Sequence, residues 1–193
     1  MRMSALNRWF GPAIGQMCWG ARSWNLGAAD GGNWYLTLQV GPPRLEVLDQ
    51  LSEADVVALE REHPDVDFRS GPPRRHVMTK GRWSLMLEPN WVVSEGGSVL
   101  GSFASESQCA IEALNGQKLT AVVLAPTDAG TEFRFDLGVV LTSSPSSKRG
   151  TAWTLDGQPF GRRSLVFRAD RHYCFEDPGS IPPHDSPKWR RAA

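Results

Sequence analysis

The chain has little cysteine. Cys18, Cys109 and Cys174 are odd in number, lie far apart and form no C-x-x-C, which excludes a disulfide framework and a zinc site. It has no run of 18 apolar residues, so no transmembrane helix is predicted. Asn7 and Arg8 interrupt the apolar start, so a continuous signal-peptide core is missing too. Isolated cysteines act as small buried hydrophobes, and a reducing, cytoplasmic location is the expectation. Charge of one sign is also lacking: 21 Lys and Arg balance 21 Asp and Glu. The total therefore suggests no affinity for nucleic acid or membrane. No P-loop, H-E-x-x-H or G-x-S-x-G signature occurs. The glycines between Gly96 and Gly101 sit in a hairpin context, not ahead of a phosphate-binding helix.

What is present is mostly period-two patterning over 193 residues, enough to bury a core without cross-links. Trp34, Leu36, Leu38 and Val40 alternate with Tyr35, Thr37 and Gln39, the signature of a half-buried strand. After Gly41-Pro42-Pro43 a strand resumes at Leu45 to Leu48. Arg75 to Thr79 and Trp83 to Leu87 read as an antiparallel pair turned at Lys80-Gly81. Turns are predicted at Pro89-Asn90 and Glu95 to Ser98. Leu119 to Leu124 reads as a central strand, apolar on both faces. Phe133, Phe135 and Leu137 alternate, Gly138 turns, and Val139 to Leu141 follows. Trp153 to Leu155, Ser164 to Arg168 and His172 to Phe175 complete the strands.

Two segments switch to helical spacing. Ser52-Glu53-Ala54-Asp55 is a capping-box start, with Leu51, Ala54, Val57 and Ala58 as its apolar side, and Pro64 ends it. A second helix starts near Ser105 and stops at Asn115-Gly116, with Phe103, Ser107, Ala110, Ile111 and Leu114 toward the core. The fold class is therefore α+β: mostly antiparallel sheet with two short helices. Residues 36–45 and 133–141 share a rhythm of alternating apolar residues, glycine and resumed strand, each followed by a Gly-then-Trp strand. This suggests two pseudo-repeated meanders. The corresponding division is 1–103, a meander with an inserted acidic helix, then 104–177, a helix plus meander, then a loose Pro- and Ser-rich tail at 178–193. One continuous domain is the alternative.

Chemistry-bearing residues are sparse. Asp170, His172 and Cys174 alternate and would share one strand face, where a carboxylate, an imidazole and a thiol could serve a metal or an activated thiolate. Side chains at this spacing point in parallel instead of converging, so a small enzyme or metal-binding protein is only the alternative reading. A second alternative is nucleic-acid binding through Arg162, Arg163, Arg168 and Arg171, with Phe167 or Tyr173 stacking on bases. Trp34, Trp83 and Trp153 fall in phase with core faces. Trp9, Trp19 and Trp24 are read as bracing the N-terminal segment onto the sheet.

The charge is unevenly distributed. From Glu46 to Asp67, eight acids oppose Arg61 alone, a net −7; Arg69, Arg74, Arg75, Lys80 and Arg82 then give +5 with no acid among them. Lys148, Arg149, Arg162, Arg163, Arg168 and Arg171 against Asp156 and Asp170 give +4. An acidic insertion of this kind can steer and dock a basic partner. The candidate partner-binding residues are Asp49, Glu53, Asp55, Glu60, Glu62, Asp65 and Asp67.

The layout Leu114, Gly116, Gln117, Leu119, then Phe133 to Gly138, Leu141, Trp153 and Leu155 resembles the small cytoplasmic immunity proteins of bacterial polymorphic toxin systems. The resemblance covers mainly residues 114–155, is built of strand and turn residues and carries no active site. It implies a non-enzymatic protein, without cofactor or metal, that binds and blocks a toxin domain. The acidic insertion would suit a basic toxin with a cationic cleft. Neither a membrane nor a nucleic-acid partner is expected.

Overall fold

A computed structural model describes residues 5–25, 34–48, 56–57, 61, 76–103, 108–124, 130–144, 150–157, 163–177, 183 and 185–192. The chain divides into two compact units, Pro43–Lys80 and the remainder, Met1–Pro42 with Gly81–Ala193.

In the larger unit, alternation along the chain becomes alternation of burial. It opens with helix α1 (Ala5–Phe10) and a single 3-10 turn (Gly11–Ala13). The strands are β1 (Cys18–Asn25), β2 (Trp34–Val40), β5 (Trp83–Leu87), β6 (Trp91–Glu95), β7 (Ser98–Ser102), β8 (Leu119–Leu124), β9 (Thr131–Phe135), β10 (Val139–Ser143), β11 (Thr151–Gly157), β12 (Ser164–Arg168), β13 (His172–Glu176) and β14 (Arg190–Arg191). Helix α2 (Gln108–Leu114) precedes β8. Seven strands form one antiparallel sheet in the order β1-β2-β5-β11-β12-β13-β14, and five form another in the order β7-β6-β10-β9-β8. The smaller unit contains a two-stranded ladder of β3 (Arg44–Leu48) and β4 (His76–Lys80).

The two larger sheets share one apolar core, as period-two strands must when each buries one face. Leu36, Leu38, Leu85, Leu87, Trp153, Leu155, Leu165 and Phe167 enter it from the first sheet, and Trp91, Val93, Phe133, Phe135, Val139 and Leu141 from the second. Indoles join the sheets. The Trp153 indole N–H donates to Thr131 Oγ1 at 3.0 Å, wholly buried, and Trp91 donates to the Trp34 carbonyl at 2.7 Å. Trp153 stacks on Phe167 at 4.7 Å and meets Phe133 edge-on at 6.1 Å. Leu6, Trp9, Phe10 and Ala13, at i, i+3, i+4 and i+7, form the buried stripe of α1 and its 3-10 continuation. Trp9 packs against Tyr173 at 4.4 Å and Phe175 at 6.2 Å; its role is to brace the N-terminus, as the sequence suggests.

Several expectations are met. The Glu95–Ser98 turn uses Gly96 and Gly97 with φ of 56° and 85°, and Gly116 ends α2 at φ 85°. The Asn115 side chain both donates to Ile111 O and accepts from Ala21 N, tying the helix end to β1. Other expectations change. β4 pairs with β3, whereas β5 lies between β2 and β11. The reason is burial: Trp83, Leu85 and Leu87 enter the core, so β5 takes a central position. β8 is an edge strand, because Thr120 and Val123 face outward and only Leu119 and Val122 are buried. The two segments of similar rhythm occupy different places: β9 and β10 are neighbours in one sheet, whereas β2 and β3 lie in different sheets. The tail is tied down at residues 186–192. β14 pairs with β13, Trp189 lies over the Arg168 guanidinium at 4.5 Å, and Ala192 is buried. Of the predicted acidic helix, Val56, Val57 and Arg61 are helical, and the rest lies outside the described residues.

Candidate partner-binding unit

The smaller unit is built on an antiparallel ladder that pairs Arg44 with Lys80, Leu45 with Thr79, Glu46 with Met78, Val47 with Val77 and Leu48 with His76. Because side chains alternate across a strand, Leu45, Val47, Val77 and Thr79 share one face, and Arg44, Glu46, Met78 and Lys80 the other. The usual pattern is inverted here. Leu45 is 76% exposed, Val47 54% and Val77 56%. On the opposite face Glu46, Met78 and Lys80 are half-buried, and Lys80 Nζ reaches Glu46 Oε2 at 2.7 Å. The ladder thus presents a solvent-facing row of branched apolar residues, with the ion pair on the more covered side.

Asp49, Glu53, Asp55, Glu60, Glu62, Asp65 and Asp67, the residues expected to meet that partner, lie outside the described residues. In sequence they fall between the two strands of the ladder. Glu46, the first acid of the run, sits on β3 and is neutralised by Lys80.

The residues of the two alternative readings lie in the larger unit. Asp170 lies in the turn before β13, where its side chain accepts from the His172 backbone N–H at 3.3 Å, lies 3.1 Å from His172 Nδ1 through Oδ1, and pairs with the Arg168 guanidinium. These are turn and ion-pair contacts. Cys174 is buried, and burial, reinforced by the Glu176 charge, pushes its thiol up to about 11 against the opposing Lys188 and Arg168 charges. At neutral pH it stays protonated, unlike an activated nucleophile. Among the described residues no group of His, Cys, Asp and Glu is arranged to hold a metal ion. For nucleic acid, Arg168 is 3% exposed beneath Trp189, Phe167 is fully buried, and Tyr173 is engaged by Trp9. Arg162 lies outside the described residues; Arg163 is exposed.

The residues that carry the immunity-protein resemblance are scaffold. Gln117, 5% exposed, donates to Ala113 O and accepts from Leu137 N, joining α2 to the β9–β10 turn. Phe133, Phe135, Leu141, Trp153 and Leu155 are core.

The described residues of the larger unit define a two-sheet antiparallel β fold, and the Pro43–Lys80 unit has an exposed apolar row and, in sequence, eight acids against six bases. Comparison of the chain with protein-family models, with curated proteins and with solved structures finds no match. Among the described residues no helix is long and apolar enough to cross a membrane.

Proposed function

We propose that this is a non-enzymatic binding protein of the immunity type, acting in the bacterial cytoplasm. In this reading it neutralises a basic toxin domain through the Pro43–Lys80 unit. The observation that carries the reading is the exposed row Leu45, Val47 and Val77 on a ladder whose intervening segment holds the acid excess. The apolar row would supply desolvated contact area, and the acids would steer the encounter and match a cationic cleft. The three free thiols fit a reducing compartment.

The test is co-purification with the product of the adjacent gene. Wild type should retain it. Reversing Glu53, Asp55, Glu60 and Glu62 to Lys should slow association by at least tenfold and remove its salt dependence. Replacing Leu45 and Val47 by Glu should speed dissociation. Undiminished binding after the four reversals removes the acidic face from the reading. Undiminished binding after both sets removes the whole unit.

A further inference from the structure

The register of the β3–β4 ladder is not set in either of the usual ways. Antiparallel strands take their register from a tight connecting turn or from a buried apolar face. Here residues 49–75 separate the strands, far more chain than a hairpin turn, and no third strand joins the ladder among the described residues. The apolar side, Leu45, Val47 and Val77, is the one that faces solvent. Another interaction must decide which side chains point outward.

The opposite face supplies it. Arg44 and Lys80 are directly opposed, and like charges so placed repel. Glu46 lies on the same face, diagonal to Lys80; its Oε2 is withdrawn from solvent and meets Lys80 Nζ at 2.7 Å. The carboxylate offsets the repulsion and turns this face into a favourable contact. Side chains alternate with a period of two, so a slip by one residue exchanges faces. Such a slip puts Glu46 opposite Val77 or Thr79 and sends Lys80 to the other side. It breaks the ion pair and parts Leu45 and Val47 from the face of Val77. A slip by two leaves the faces unchanged. Without Glu46 the observed register would keep only the Arg44–Lys80 repulsion, which a one-residue slip relieves.

We propose that Glu46 and Lys80 form a parity lock: they are the positioning residues that hold Leu45, Val47 and Val77 together on the solvent side. The consequence for partner capture rests on the toxin-binding reading; the register does not.

Paired cysteines equilibrated with glutathione read the register, in a Cys109→Ser background where the remaining native thiols are buried. Val47→Cys with Val77→Cys opposes two thiols in the observed register. Val47→Cys with His76→Cys, or with Met78→Cys, reports the two one-residue slips, since in the observed register these pairs point to opposite faces. The first pair should form its disulfide more readily than either of the others. Glu46→Gln should narrow that preference by about threefold or more, the scale of a partly exposed ion pair. Lys80→Gln should narrow it less, because it also removes the charge opposed to Arg44. Glu46→Lys with Lys80→Glu should restore it, and high salt should narrow it in the parent. A preference unchanged by Glu46→Gln overturns the proposal, as does one that the charge reversal fails to restore. If Glu46→Gln does not fold, a parent preference indifferent to salt overturns it. Capture of the adjacent gene's product by the same variants is a separate readout. A narrowed preference with undiminished capture upholds the lock and removes the apolar row from the toxin-binding reading.

Discussion

Cys18, Cys109 and Cys174 share a side chain but not an environment. Cys109 is exposed on α2, while Cys18 and Cys174 are buried, their thiols raised to about 12 and about 11 chiefly by desolvation. At pH 7 a disulfide reagent should therefore modify Cys109 in the native protein and reach the other two only after unfolding. Three equivalents reacting at one rate would contradict this environment. Glu88 is a second example. Burial raises its carboxyl above 4.5, against the opposing effect of the hydrogen bond from Tyr35. The folded state thus holds this proton more firmly than the unfolded state. The associated stability is fully present below the ordinary carboxyl value and is lost as pH rises through the raised one. Glu88→Gln should flatten that part of the melting-temperature profile upward of pH 4.5 and raise the midpoint at pH 7. A profile unchanged by the substitution would assign the pH dependence to other groups. No local pattern marks Glu88 as special, because its burial depends on strands distant in sequence.

Elements gain their positions from close approach and cover. Gly157 pairs with Trp83 across β11 and β5, with φ at +121°, and a Cβ there would lie 2.3 Å from the Arg82 carbonyl oxygen. Gly157→Ala should cost about 3 kcal/mol, from a backbone region that only glycine enters freely and from the backbone clash. Chemical denaturation would measure it, and a loss below a few tenths would mean that the strands can separate there. At the other end of the sheet, Trp189 covers the guanidinium of Arg168. Trp189→Ala should destabilise by about 2 kcal/mol, the scale of a desolvated cation–π contact, and should make Cys174 reactive in the native state. Unaltered stability with a silent thiol would show that other residues do the covering. α1 was legible but easily missed: its stripe Leu6, Trp9, Phe10 and Ala13 has helical spacing, yet the segment also carries Gly11 and Pro12, which break helices. The edge position of β8 was not legible, because an apolar run has the same appearance in a central strand and in an edge strand with one exposed apolar face.

At the scale of the whole molecule, the chain divides into two compact units, and the proposed binding residues fall in the smaller one. Among the described residues, the shared apolar core takes none from Pro43–Lys80. The chain leaves and re-enters the larger unit at neighbouring points: Gly81 N donates to the Gln39 side chain at 2.8 Å, and a Cβ on Gly81 would meet the Val40 backbone at 2.9 Å. Replacing residues 43–80 by a short glycine linker should leave a cooperative thermal transition while abolishing partner capture. A deletion variant that melts without cooperativity would show that the unit is needed for folding. Thr131→Val should instead strike the larger unit as a whole, because it leaves the Trp153 indole N–H buried without its acceptor and costs about 1–3 kcal/mol. A neutral result would mean that the Trp153–Thr131 hydrogen bond adds nothing to the packing between the sheets.

The sequence by itself determined most of the strands, the buried faces of β2 and β9, the turns at Gly96-Gly97 and Gly116, and the uneven charge, because these depend on local backbone freedom and on the period of apolar residues; it did not mark β1. Only the tertiary structure decided which strands are neighbours and that β5 joins β2 to β11. It also decided that Arg168 and Phe167 are withdrawn from any ligand, and that Leu45, Val47 and Val77 face solvent. Pairing and exposure depend on what distant segments leave uncovered, and no local window of sequence contains that information.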